Sequence, residues 1–101
     1  MTIEKQDGKT DDHVVFIGSK PFMNYVTGVV MQFTTQGAKD VTIKARGKFI
    51  SKAVDVAEVT TKRFLEGNAD IVETLTGSEE FKNKEGKQVR VSTIELKLIK
   101  K

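Results

Sequence analysis

The hydrophobic pattern of this chain changes period within five residues, Lys44-Ala45-Arg46-Gly47-Lys48, and that change dictates most of the fold. Before it, Val41, Ile43 and Ala45 alternate with Thr42, Lys44 and Arg46. Period two is the signature of a half-buried strand with one polar face. After Gly47 the apolar residues fall at Ile50, Ala53/Val54, Ala57, Thr61 and Phe64, a stripe with helical spacing. A strand that runs directly into an amphipathic helix must lay that helix back on the sheet to bury both apolar faces. The junction itself holds three cations, Lys44, Arg46 and Lys48, around one glycine. Lys44 and Arg46 share a strand face, and Lys48 joins them if the strand continues. Such a cluster suits a surface that grips phosphate; the plainer alternative is a solvated face.

The same reading extends along the chain. His13-Val14-Val15-Phe16-Ile17 is a short apolar run stopped by Gly18, which predicts a buried strand. Pro21 suits the first turn of a helix, where its missing N–H costs nothing. The stripe Phe22, Met23, Val26, Val29/Val30 and Phe33 follows, with Gly37 just past the helix end. The second helix covers roughly 49–65 and Gly67-Asn68 ends it. A strand near 70–81, a turn at Asn83-Lys84-Glu85-Gly86-Lys87 and a strand over 88–99, alternating through Ile94, Leu96 and Leu98, complete the domain. The order β-α-β-α-β-β predicts an α/β chain of the α+β type: a two-layer sandwich with a four-stranded mixed sheet over residues 13–101. Residues 1–12 have low hydrophobicity and no periodicity and read as a flexible acidic tail.

Charge is unevenly distributed. The net charge is +3. Residues 14–52 hold six cations against Asp40, whereas residues 53–81 hold Lys62 and Arg63 against seven acids. Residues 82–90 return to basic through Lys82, Lys84, Lys87 and Arg90. Two basic blocks flanking an acidic one predict a basic face for a polyanion and an acidic back.

Other chemistry is poorly supported. With no cysteine there is no disulfide or thiolate metal site, and a cytoplasmic location is compatible. No apolar run approaches the roughly 18 residues of a membrane span, and the polar N-terminus does not read as a secretory signal. His13 beside Asp11 and Asp12 is a poor metal site; a metal-dependent nuclease built on them is the enzyme alternative. Ser19 and Ser51 lack a nearby histidine, and Gly18 and Gly47 lack Walker spacing. No cofactor is expected. A third alternative is a protein-interaction module using the sheet or Phe64.

Several stretches resemble one family. Val14-Val15-Phe16-Ile17-Gly18-Ser19-Lys20-Pro21-Phe22-Met23-Asn24-Tyr25-Val26 is similar to the opening strand and helix of Alba, a family of small archaeal chromatin proteins. Ile43-Lys44-Ala45-Arg46-Gly47-Lys48, followed by Ile50-Ser51-Lys52-Ala53-Val54-Asp55, resembles its central signature. Arg63-Phe64 and Val91-Ser92-Thr93-Ile94-Glu95 are also similar, and the ordered match spans residues 13–101.

The resemblance implies a fold similar to the C-terminal domain of translation initiation factor three. It implies a homodimer that binds double-stranded DNA with little sequence preference, with RNA as the alternative partner, and that is associated with the chromosome. The family's dimer body sits on the backbone while two β-hairpin arms reach along the minor groove. By position, Lys20 matches the loop lysine that contacts nucleic acid. Lys44, Arg46, Lys48 and Lys52 match the basic central surface. Lys82, Lys84, Lys87 and Arg90 fall on or beside the arm, and Phe64 matches an aromatic residue used between dimers. One departure is that many members have two lysines where this chain has Ser19-Lys20. The first is the family's acetylation site, so modification here would move to Lys20.

Overall fold

A computed structural model describes residues 13–101; the expected acidic tail lies outside the described residues. The elements run β1 (Val14–Phe16), α1 (Phe22–Thr34), β2 (Asp40–Arg46), a 3₁₀ turn (Gly47–Phe49), α2 (Ile50–Val59), a π-helical turn (Thr60–Phe64), β3 (Ala69–Lys82) and β4 (Gln88–Lys100). The sheet has four strands in the order β1-β2-β4-β3. β1 pairs parallel with β2, and β4 pairs antiparallel with both β2 and β3. This is the expected two-layer α+β arrangement with a mixed sheet.

Both helices cover one face of the sheet. β2 contributes Val41, Ile43 and Ala45 to the interior, and β4 contributes Ile94, Leu96 and Leu98. Against them α1 presses Val26, Val29 and Phe33, and α2 presses Ala53, Val56 and Ala57. The alanines of α2 let its backbone approach the strands closely, so a short helix excludes water from the layer between. Among the described residues the other face of the sheet carries no helix.

Three local features depart from the sequence reading. β1 is an edge strand rather than a buried one, and Phe16 at its end is 70% exposed because it points to the open face. The stripe of the second helix ends early. Its last turn widens to the π form, Leu65 N–H donates to Thr60 O at 2.9 Å, and Leu65 takes the buried position. The extra residue per turn rotates Phe64 off the stripe, where it is 52% exposed. The ladder between β3 and β4 shifts register between Ile71 and Glu73. That bulge exchanges the faces of all later β3 residues, so Thr74 and Thr76 face the helix side while Leu75 and Glu79 join the open face.

β3 and β4 continue past the end of β2. Residues 78–82 and 88–92 pair only with each other, closed by the Asn83–Lys87 turn, and form an arm. The molecule is 47 Å along its longest axis against 30 and 24 Å across.

Candidate nucleic-acid interface

The basic residues expected from the sequence fall into three groups. The first is on the open face of the sheet. Lys44 and Arg46 project there from β2, as alternation requires, because Ala45 between them is buried. Lys44 lies across from Phe16 in β1 and Glu95 in β4. Its ammonium is 6.0 Å from the Phe16 ring centre and 3.9 Å from Glu95. Arg46 Nη1 donates to Glu79 Oε1 at 3.0 Å. Lys48 does not extend this row. Gly47 has φ +55°, a left-handed conformation that ends the strand and starts the 3₁₀ turn. A side chain at Gly47 would also meet Val91 at 3.1 Å. Lys48 instead leans on its neighbour, 5.4 Å from the Phe49 ring centre.

The second group surrounds the loop between β1 and α1. Lys52, in the first turn of α2, donates from Nζ to Gly18 O at 2.7 Å and to Lys20 O at 2.6 Å. Its ammonium lies 5.1 Å from the centre of the Tyr25 ring. Tyr25 Oη in turn accepts the N–H groups of Gly18 at 2.9 Å and Lys20 at 3.1 Å. The Lys20 side chain is exposed. These contacts bring the N-terminal ends of α1 and α2 together. Neither helix has an acidic residue in its first turn. Helix N-termini carry partial positive charge, and carboxylates are the usual stabilising neighbours there. Here lysines occupy that end instead, an arrangement that an anion relieves.

The third group is the arm. Lys82, Lys84 and Lys87 cluster about its turn, which Asn83 holds by accepting the N–H groups of Glu85 at 2.9 Å and Lys87 at 3.0 Å. Arg90 donates to Glu80 Oε2 at 2.7 Å, and Gln88 donates to the other oxygen at 2.9 Å.

The expected separation into a basic face and an acidic back does not hold in space. Glu79 and Glu80 belong to the acidic block of the sequence, yet antiparallel pairing returns them beside Arg46 and Arg90. Sequence reasoning missed these carboxylates because their partners are distant along the chain. It also missed the rings beneath Lys44 and Lys52; only Lys48-Phe49 was adjacent in sequence. The ion pairs are shallow. Arg46 and Glu79 are 65% and 54% exposed, and Arg90 and Glu80 are 70% and 46% exposed. Pairs of this kind contribute about 0–1 kcal/mol, so a polyphosphate can displace their carboxylates.

Elsewhere, His13 Nδ1 donates to Gln32 Oε1 at 2.8 Å, which ties the start of β1 to α1. Asp11 and Asp12, the other members of the enzyme alternative, lie outside the described residues. No helix among the described residues is long and apolar enough to cross a membrane.

The Alba family model matches residues 13–79. The DNA/RNA-binding protein Alba of Nanoarchaeum equitans is 58% identical over 88 residues, covering 86% of this chain and 97% of the relative. The protein of the same name from Methanococcus maripaludis is 46% identical over 89 residues, covering 88% and 99%. Among solved structures, Alba from Thermoplasma volcanium superposes with a TM-score of 0.77 at 45% identity, covering 85% of this chain and 98% of that one.

Proposed function

The chain belongs to the Alba family, and from that membership we propose that it is a dimeric, largely sequence-nonspecific double-stranded DNA-binding protein that coats or compacts the chromosome. The observation that carries the reading is the placement of cations in a fixed body and on a projecting arm. Lys44 and Arg46 are set by β2, Lys48 by the 3₁₀ turn and Lys20 by the clamped loop. Lys82, Lys84 and Lys87 ride on the arm, a shape that fits a groove. The role is binding, not catalysis.

Binding follows from ion release. Each lysine or arginine that meets a phosphate displaces condensed counterions, and the entropy of their release drives association. Arg46 can hold one phosphate through two parallel N–H donors once Glu79 yields; the lysines act as mobile point charges. Cations that meet the phosphate backbone carry no sequence information, so affinity depends little on sequence. Phe64, exposed beside the end of α2, supports contact between dimers on the DNA. Lys20 is the residue available for charge-removing acetylation, in place of the family's first loop lysine.

A salt titration tests this. A dimer that neutralises about three phosphates per protomer has a log–log slope near about −5 for duplex DNA. A slope near zero, or a monomer by light scattering while bound, contradicts the proposal. The relatives carry DNA/RNA-binding in their names, which supports RNA as the second reading. Gel shifts of duplex DNA against structured RNA at one salt concentration separate the two.

A further inference from the structure

The loop from Gly18 to Lys20 is gripped on its donors and its acceptors at once. The N–H groups of Gly18 and Lys20 converge on the hydroxyl of Tyr25, and the carbonyls of the same two residues converge on the ammonium of Lys52. Two incoming N–H groups use both lone pairs of the phenolic oxygen. Two carbonyls at 2.6–2.7 Å use two of the three ammonium protons. Tyr25 and Lys52 come from different helices, and the ammonium packs toward the Tyr25 ring, so each holds the other. The Lys20 side chain takes no part in this clamp and extends from a Cα whose two flanking peptide units are both held.

This arrangement gives Lys52 a different task from the cations around it. A lysine whose function is to meet phosphate keeps its ammonium in water on a flexible stem. The ammonium of Lys52 is instead spent on backbone carbonyls. Resting on the reading of Lys20 as a phosphate contact, we propose that Tyr25 and Lys52 are positioning residues that set the Gly18–Lys20 loop before nucleic acid arrives, and that Lys52 acts through Lys20 rather than by touching phosphate. Ordering a loop residue costs backbone entropy. A loop ordered during folding spares the complex that cost.

The test is a double-mutant cycle on the full chain. A short fluorescein-labelled duplex DNA is titrated by anisotropy across a salt series. The variants are Tyr25→Phe, Lys52→Met and Lys52→Arg, each alone and with Lys20→Gln. Tyr25→Phe changes no charge, yet it weakens binding by about 3- to 10-fold. In the Lys20→Gln background the same substitution changes affinity by less than about twofold. Lys52→Met behaves likewise, Lys52→Arg retains binding, and amide hydrogen exchange at Gly18 and Lys20 accelerates in Tyr25→Phe without DNA. Equal losses in both backgrounds overturn the proposal. So does a drop in slope of about 0.9 per protomer when Lys52→Met is added to Lys20→Gln, because Lys52 is then a phosphate contact itself. If Lys20→Gln alone changes neither affinity nor slope, the underlying assignment of the loop falls with the proposal. Loss of coupling beside an effective Lys20→Gln removes the positioning role alone.

Discussion

The β3–β4 hairpin is one continuous ladder that does two different things along its length. Its inner half, Ala69–Gly77 with Thr93–Lys100, is joined to β2 through β4, whose Ile94, Leu96 and Leu98 lie in the core, and Leu98 there is fully buried. Its outer half, residues 78–82 with 88–92, has the same antiparallel pairing but, among the described residues, no third strand and no helix. Phe81 there is 47% exposed. Backbone pairing is common to both, so it cannot be what sets their stabilities apart. Burial does that. A two-stranded ribbon is marginal by itself, whereas the same ribbon under a hydrophobic layer shares the stability of the whole core. The cations inherit the difference. Those of the body stand on strands that line the core, and those of the arm stand on a two-stranded ribbon.

The widest separation between the halves is expected in stability. Leu98→Ala removes a fully buried side chain between β4 and the helices and should cost about 2–5 kcal/mol in urea denaturation. Phe81→Ala, across the ladder from Val89, should cost less than about 1 kcal/mol. Similar losses at both sites would break the comparison, because the arm would then be part of the cooperative unit.

Binding should show a second, smaller separation. Arg46→Ala removes a body guanidinium and is expected to weaken duplex binding by about 1.5 kcal/mol, roughly tenfold, and to reduce the salt slope. Any single arm substitution among Lys82→Gln, Lys84→Gln and Lys87→Gln should cost less. A cation on a two-stranded ribbon gives back part of its Coulomb gain as the entropy of holding still. Anisotropy titrations of the four variants at one salt concentration check the order, and an arm lysine exceeding Arg46 reverses it.

The part of the hairpin least legible in the sequence is β3 beyond Ile71, where the side chains stay exposed. Ile94, Leu96 and Leu98 announce the inner part of β4 because a strand against helices must alternate. Ala53 and Ala57 similarly announce α2. No burial imposes a pattern on β3 beyond Ile71, so its residues carry no phase from which the bulge at Val72 could be inferred. That bulge alone decides that Glu79 faces Arg46. Lys44 and Arg46 were correctly placed on one face, since Val41, Ile43 and Ala45 define the other. Lys48 would have joined them only if the strand continued, and Gly47 ends it with a positive φ that periodicity does not report. The exposure of Phe16 follows from its pointing to the open face of the sheet, and that of Phe64 from a widened helical turn. Both depend on tertiary packing. The clamp on the β1–α1 loop joins residues 32 and 34 positions apart, beyond any local pattern.

Glu79 links the two regions, since it rises from the arm and its carboxylate closes on the body's Arg46. The pair is exposed on both sides, so it adds at most about 1 kcal/mol to stability. For binding it acts in the opposite sense. A phosphate approaching Arg46 must displace this carboxylate and is repelled by it. Glu79→Gln should therefore tighten duplex binding by about two- to fivefold at low salt while leaving the unfolding midpoint nearly unchanged. The gain should shrink as salt rises, because screening weakens repulsion between exposed charges. It should also vanish in an Arg46→Ala background if it comes from releasing the guanidinium. A gain that persists without Arg46 would instead mean that Glu79 repels the phosphate backbone directly. The arm would then tune affinity through its own charge rather than by masking the body.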